Sequence, residues 1–450
     1  MTKIHAQHAL LPDGWARDVT VTIADGRISA VTRDVQTTAS VDILLPAPTN
    51  LHSHAFQRAM AGLTERRGVG SSDSFWTWRQ LMYQFLGQLT PHDVQSITAQ
   101  VQMEMLESGF AACAEFHYLH HTPGGQAYEN EGEMSERVCA AAQQTGIGLT
   151  LLPVLYMQGG VDGRALTAGQ DRFGNDMDGY MHIMGAAQHA VDALPHDTRL
   201  GVAPHSLRAV TPDALKKLQE FQGPIHMHLA EQRAEVDEIK AAYNARPVTW
   251  ALDNLEIDAR WCMIHCTQMT KVEARGLAQS GAVAGLCPLT ESSLGDGIFM
   301  GEDWQAAGGA WGIGSDSNIL ISLKQELQTL EYSQRLVRHE RAVFADADRS
   351  TGRALLEGAC AGGAQAAGRD SGAIANGMWA DLVALGGDAT DFIGRTGDSL
   401  LDTWIFAGTD AAICDVWAAG RHVVVDGKHH KRDDITKAYR ETLFRLRDVM

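Results

Sequence analysis

The sequence predicts an α/β protein: a TIM-like (β/α)8 barrel carrying a small β-sandwich assembled from both ends of the chain. Three observations predict it. Between His52 and about residue 370, strand-like apolar runs alternate with helical stretches, and eight such units can be counted, the number that closes a parallel barrel. Outside that span the alternation stops, and both ends read as short strands with hairpin turns. Chemically able residues cluster at the ends of the apolar runs, where barrel sites are built.

Residues 1–46 are read as the N-terminal part of the sandwich. Val19-Thr20-Val21-Thr22-Ile23 alternates, turns at Ala24-Asp25-Gly26-Arg27 and resumes as Ile28-Ser29-Ala30-Val31. The barrel spans 47–372. The run Ile43-Leu44-Leu45 leads into Pro48-Thr49-Asn50-Leu51-His52-Ser53-His54 and is counted as its first strand. The other strands are 111–118, 148–156, 199–205, 224–229, 261–265, 282–287 and 309–316, with helices between them over 91–108, 134–145, 181–194 and 213–222. Residues 60–90 form a long insertion that Phe75, Trp76 and Trp78 mark as ordered, and 120–132 and 157–180 read as loops over the same face. Residues 373–450 supply the rest of the sandwich through 382–385, 412–417 and 422–425, closed by a helix over about 435–450.

Composition narrows the function. The chain has 450 residues, 45% apolar and 20% charged, as ordinary globular proteins do. Its net charge of −18 argues against nucleic-acid and anionic-membrane partners. Seven cysteines, an odd count with no C-x-x-C, point to a reducing compartment. There is no apolar leader and no run of 18 apolar residues, so the expected location is cytoplasmic. No internal repeat or low-complexity tract is evident.

Four strand ends carry chemistry. His52 and His54 are two residues apart, which in a strand turns both imidazoles to one face. By itself such a pair is as well read as two polar residues in a turn. The fifth strand adds His228, with Glu231 three residues on; the sixth ends in His265 and the eighth in Asp316. His52, His54, His228 and Asp316 make a zinc ligand set of three neutral imidazoles and a carboxylate, one ion per chain. Such an ion acidifies water into a nucleophile near neutral pH. Glu231 is the candidate proton shuttle, Asp316 also a proton acceptor, and His265 the group that holds the attacking oxygen in line. His226 alternates with His228 and is read as structural.

In this order, His-x-His, His-Leu-Ala-Glu, His and Ser-Asp resemble the amidohydrolase superfamily in its mononuclear deaminase branch, over essentially the whole chain. No lysine stands at the fourth strand end for a bridging carbamate, which supports one metal. Within the branch, LHSHAFQRAMAG, HSLRAV and LCPLTESSLGDGIF are most similar to the formimidoylglutamate deiminases. That resemblance implies hydrolysis of N-formimino-L-glutamate to N-formyl-L-glutamate and ammonia in histidine degradation, and a homodimer. It assigns substrate binding to Gln57, Arg79, Tyr118, His205 and Arg208. The chemistry agrees, since guanidinium forks are the strong, oriented way to hold a small dicarboxylate. Arg58, Arg66 and Arg67 are read as surface or helix-capping charges. The rival readings are a purine or triazine aminohydrolase, which needs a stacking slot rather than arginines, a two-metal amide hydrolase, and a non-catalytic barrel.

Overall fold

Eight short parallel strands surround one axis: Thr49–Ser53, Ala112–His117, Gly148–Leu155, Arg199–Leu200 continued by Ala203–Pro204, Ile225–Leu229, Trp261–His265, Val283–Leu286 and Ala310–Ile313. The structure, a computed structural model, describes residues 1–35, 37–65, 75–387 and 390–447, with only the backbone of 75–77 and 80. Arg66 and Arg67, the side chains of Phe75 and Trp76, and the last three residues therefore lie outside the described residues. Ladders join strands one to four and five to eight. Single bridges close the barrel: Val202–Ile225 and Ser206–His228 on one side, Ser53–Asp316 on the other. Strands two, three, five, six and seven are buried at every position, which is why they read as continuous apolar runs.

The first strand is not the one read from the sequence. Ile43-Leu44-Leu45 lies in Val41–Pro46, which pairs with Thr2–Leu11 and Leu382–Leu385 in the other sheet. The barrel strand begins at Thr49. Pro46 and Pro48 bracket the crossing; neither can donate to a ladder, so one apolar stretch is divided between two sheets.

In the end domain eight strands form one hydrogen-bonded path: Lys428–His429, Arg421–Val425, Ile413–Ala418, Leu382–Leu385, Val41–Pro46, Thr2–Leu11, Gly14–Ala24 and Arg27–Thr32. Strands from both chain ends thus lie side by side. One apolar face encloses a core of its own, including Ile4, Val21, Leu44, Leu382 and Trp417, while Ile43, Leu45, Val383 and Val416 belong to the barrel core. The hairpin at Asp25-Gly26 has both residues at positive φ (52° and 77°), the backbone a two-residue type I′ turn requires.

Helix boundaries follow their caps. Pro91–Glu107 opens with a capping box between Thr90 and Asp93. The helix expected over 181–194 is Met177–Asp192, starting four residues earlier because Asp176 accepts from Gly179 N–H. The helix after strand four, Pro212–Leu218, is shorter than expected and the terminal helix is Arg432–Leu446. Within the insertion, Phe75–Leu86 is helical and brings Arg79 to the barrel. No helix among the described residues is long and apolar enough to cross a membrane. Six of the seven cysteines are buried, and all are free thiols.

Candidate metal centre and substrate cavity

The barrel closure builds the centre. Asp316 N–H donates to His52 C=O at 2.9 Å and His54 N–H donates to Asp316 C=O at 2.9 Å, so strands one and eight fix each other. Behind them a buried polar chain runs from Asn50 Nδ2 to Ser315 Oγ (2.7 Å), from Ser315 to Asn318 Oδ1 (2.6 Å) and from Asn318 Nδ2 to Ser53 Oγ (3.2 Å). Ala230, His265 and Asp316 all take positive φ at strand ends. Each such non-glycine residue costs about 1–3 kcal/mol and persists only where its surroundings over-determine it. At Ala230 those surroundings are visible: the N–H groups of Ala230 and Glu231 both donate to the Glu235 carboxylate, at 3.1 and 2.9 Å.

His52 Nε2 and His54 Nε2 lie 3.5 and 3.3 Å from Asp316 Oδ1. His54 and His228 have their ring orientations set from behind: His54 Nδ1 meets Phe116 C=O at 2.8 Å and His228 Nδ1 meets His205 C=O at 3.0 Å. That contact commits Nδ1 as donor and leaves Nε2 as an acceptor facing the centre. His52 is fully buried: its Nδ1 has no hydrogen-bond partner, and its Nε2 meets only Asp316 Oδ1, at 3.5 Å. Burial lowers all three: His52 to about 3, with His54 and His228 also below the usual imidazole range. They are therefore neutral donors.

His265 differs. Burial opposes its charge, but Glu231 at 3.8 Å, Glu291 at 3.3 Å and Asp316 at 3.9 Å outweigh it and raise the imidazole to about 10. Burial works against the Asp316 carboxylate, but the contact from His52 and the charge of His265 overcome it and hold Asp316 below the usual carboxylate range. Donor atoms gather in three overlapping groups, each within 4.8 Å: His52, His54 and Asp316; His52, His228 and His265; His265, Cys287 and Asp316. Burial drives the Cys287 thiol well up, leaving it a neutral neighbour. An orphaned buried imidazole is expensive, and a cation between neutral nitrogens and a carboxylate resolves it; the residues fit a divalent metal.

A cavity opens beside this cluster. His54, His228, Glu231, His265 and Asp316 line it, as do all five residues expected to meet substrate: Gln57, Arg79, Tyr118, His205 and Arg208. His52 lies beneath the lining. Gln57 Nε2 donates to Tyr118 Oη at 3.0 Å, and Arg208 Nη2 stands 3.6 Å from Glu231 Oε2. Burial raises Glu231 above the usual carboxylate range, against the pull of His265 and Arg208. His226 points away from the centre, its Nε2 on Ala366 C=O at 2.8 Å. Arg58 is neither a surface nor a capping charge: it pairs with Glu104 at 2.8 Å and donates to Asn318 and Ile319 C=O, joining the loops after strands one and eight.

Sequence reasoning missed Trp78, Tyr83, Tyr156 and Phe173 on the cavity wall, and Glu291 behind His265. Tyr156 is the first residue past strand three, so the strand-end criterion that selects His205 reaches it too. Glu291 sits in the quoted string after strand seven, but its partner, 26 residues away, is set only by the fold.

The model of the Amidohydrolase family matches residues 43–423, and that of Formimidoylglutamate deiminase HutF, N-terminal domain, matches residues 1–40. The Formimidoylglutamate deiminase of Pseudomonas aeruginosa is 44% identical over 456 aligned positions, covering 100% of both chains. The 8-oxoguanine deaminase of the same species is 27% identical over 86% of this chain and 84% of its own. Among solved structures, an amidohydrolase from Brucella melitensis superposes with TM-score 0.95 at 45% identity, covering 99% of this chain and 100% of that one. An adenosine deaminase from Xanthomonas campestris with bound zinc has TM-score 0.81 at 20% identity, covering 99% and 98%, a likeness of fold.

Proposed function

The chain belongs to the amidohydrolase family, and from that premise we propose that it hydrolyses N-formimino-L-glutamate to N-formyl-L-glutamate and ammonia, a step of histidine degradation. The full-length likeness to a curated deiminase of that name supports the substrate. The observation that carries the reading is that two arginines, Arg79 and Arg208, enter the same cavity as the histidine–aspartate cluster and Glu231. A purine ring has no use for them; a substrate with two carboxylates does.

His52, His54, His228 and Asp316 would hold the metal, which we take to be one zinc per chain. When bound, the ion supplies the Lewis acidity that makes water a nucleophile at neutral pH. Arg79 and Arg208 draw in the carboxylates, and Gln57, Tyr118 and His205 orient the formimino group. As water adds to the formimino carbon, Asp316 takes its proton and Glu231 gives one to the imino nitrogen. His265, 3.9 Å from Asp316, donates to the attacking oxygen. The tetrahedral carbon then releases ammonia: the proton on Asp316 goes to the departing nitrogen, and the new hydroxyl returns its proton to Glu231 as the formyl C=O forms. Both carboxyl groups end as they began.

The same reading includes a cytoplasmic homodimer. The deciding experiment measures ammonia release by zinc-loaded protein from N-formimino-L-glutamate, N-formimino-L-aspartate and guanine. Turnover of the glutamate compound, with the other two slow or silent, is expected. Activity on guanine with silence on both formimino acids would overturn the substrate and leave the metal centre standing.

A further inference from the structure

Tyr156 has a hydrogen-bonding pattern that dictates what it can still do. Its Oη accepts from Arg79 Nη2 at 2.8 Å and from Gln170 Nε2 at 2.8 Å. The amide orientation of Gln170 follows from its surroundings: Thr167 donates to Gln170 Oε1 through both its backbone N–H and its hydroxyl, each at 2.9 Å. The Gln170 nitrogen must therefore face the phenol. Neither a guanidinium nor an amide nitrogen accepts a hydrogen bond. With both lone pairs of Oη engaged, the one hydrogen of the phenol has to go to a third group, and the hydroxyl makes no other hydrogen bond among the described residues.

The cavity beside it can hold such a group. Tyr156 lines it, with its ring 4.6 Å from that of His205 and edge-on to it, and both Tyr156 and Gln170 are buried. A buried donor on a cavity wall beside an arginine suits an anionic acceptor, because a hydrogen bond to a charged partner is stronger than one between neutral groups.

We propose that Tyr156 is a specificity-determining residue that donates its phenolic hydrogen to a substrate carboxylate, acting with Arg79 as one clamp that Gln170 and Thr167 hold in register. The inference rests on the reading that the substrate carries two carboxylates, and extends it by naming a residue that recognises one of them. Arg79 supplies charge; Tyr156 supplies direction. The loop from 157 to 180, through Gln170, is then part of the recognition apparatus and not only a cover.

The test pairs kinetics with binding. Tyr156→Phe keeps the ring and removes only the hydroxyl. On N-formimino-L-glutamate it should raise KM by about ten- to a hundredfold, with kcat changed by roughly threefold or less. Calorimetric titration with glutarate, and with its monoamide, needs no turnover. The wild type should prefer glutarate, and Tyr156→Phe should lose most of that preference. Gln170→Leu, which frees the phenol without removing it, should give a smaller KM rise of the same kind. Unchanged KM and glutarate affinity in Tyr156→Phe would overturn the assignment, as would a fall in kcat at constant KM. If the wild type fails on N-formimino-L-glutamate but Tyr156→Phe still weakens glutarate, the substrate reading falls and the role of Tyr156 survives.

Discussion

Glu231 illustrates how one carboxylate acquires a job. It is buried, 3.8 Å from His265 and 3.6 Å from Arg208, and burial makes its proton harder to lose. A group that must give and regain a proton within one turnover benefits from a raised value. Glu231→Gln keeps the shape and removes the exchangeable proton. Its kcat should fall by about 10²–10⁴-fold while zinc content, measured by elemental analysis, stays at the wild-type level. Near-full turnover at full metal loading would sink the shuttle role. A second buried carboxyl, Glu115, does different work: its Oε1 accepts from Ala55 N–H at 2.7 Å, just past His54. Burial raises it from 4.5 to about 7. The folded state thus binds the proton more tightly than the unfolded chain. The stabilisation is full below about pH 4.5 and is lost as pH rises through about 7, a span worth roughly 3 kcal/mol at about 1.4 kcal/mol per pKa unit. Urea unfolding of metal-free protein should therefore show Glu115→Gln gaining on the wild type between pH 4.5 and 7.5. A gap that does not move with pH would mean that Glu115 titrates normally.

At the scale of elements, the metal centre depends on how closely strand eight approaches strand one. A Cβ added at Gly314 would stand 2.7 Å from both Cβ and the carbonyl oxygen of His52 and 2.9 Å from its nitrogen. The helix Thr351–Ala366 packs outside the same two strands, and a Cβ at Gly362 would meet Trp311 C=O at 1.9 Å, one at Gly363 Thr49 C=O at 2.8 Å. Glycine is required here for close approach of backbones. Gly314→Ala should push His52 out of line and weaken zinc affinity by roughly tenfold or more, with the barrel's far-UV dichroism retained; wild-type affinity by chelator competition would show that the closure tolerates the shift. These contacts also mark what the sequence could express. His52 and His54, the histidines of strands five and six, and Asp316 were legible because spacing of two and position at a strand end are local properties. Arg79 and Arg208 were legible by resemblance joined to the chemistry of carboxylates. The start of strand one was not, since two prolines divide an apolar run that hydropathy reads as continuous. Nor were Glu291, Gln170 or Arg58, whose meaning lies in partners brought from distant strands.

The whole molecule places its two chain ends in one sheet beside the barrel, and a buried ionic node ties the two parts together. Arg369, just past the helix Thr351–Ala366, donates through Nε to Asp381 at 2.6 Å and through Nη2 to Asp197 at 2.9 Å, and through Nη1 to Asp197 C=O at 2.6 Å. Asp197 precedes strand four of the barrel; Asp381 precedes the end-sheet strand Leu382–Leu385 and also accepts from Ala419 N–H at 2.7 Å. Arg421, from the end sheet, makes a two-pronged contact with Asp197 at 2.8 and 2.8 Å. Hydrophobic patterning could assign each end of the chain to a strand, but not to this junction, because the four residues are spread from 197 to 421. Such a node contributes little against an apolar replacement of the whole, yet removing one member strands charges that water cannot reach. Arg369→Met should therefore cost about 3–5 kcal/mol in urea unfolding, whereas Arg421→Met, whose side chain is 32% exposed and whose loss leaves Arg369 on both carboxylates, should cost much less. Adding Asp381→Asn to Arg369→Met should recover part of the loss, because it removes one of the stranded charges. Equal costs for the two arginines would show that the node is not the fastening between barrel and end sheet, and that the shared apolar core around Ile43, Leu45 and Val383 holds them together unaided.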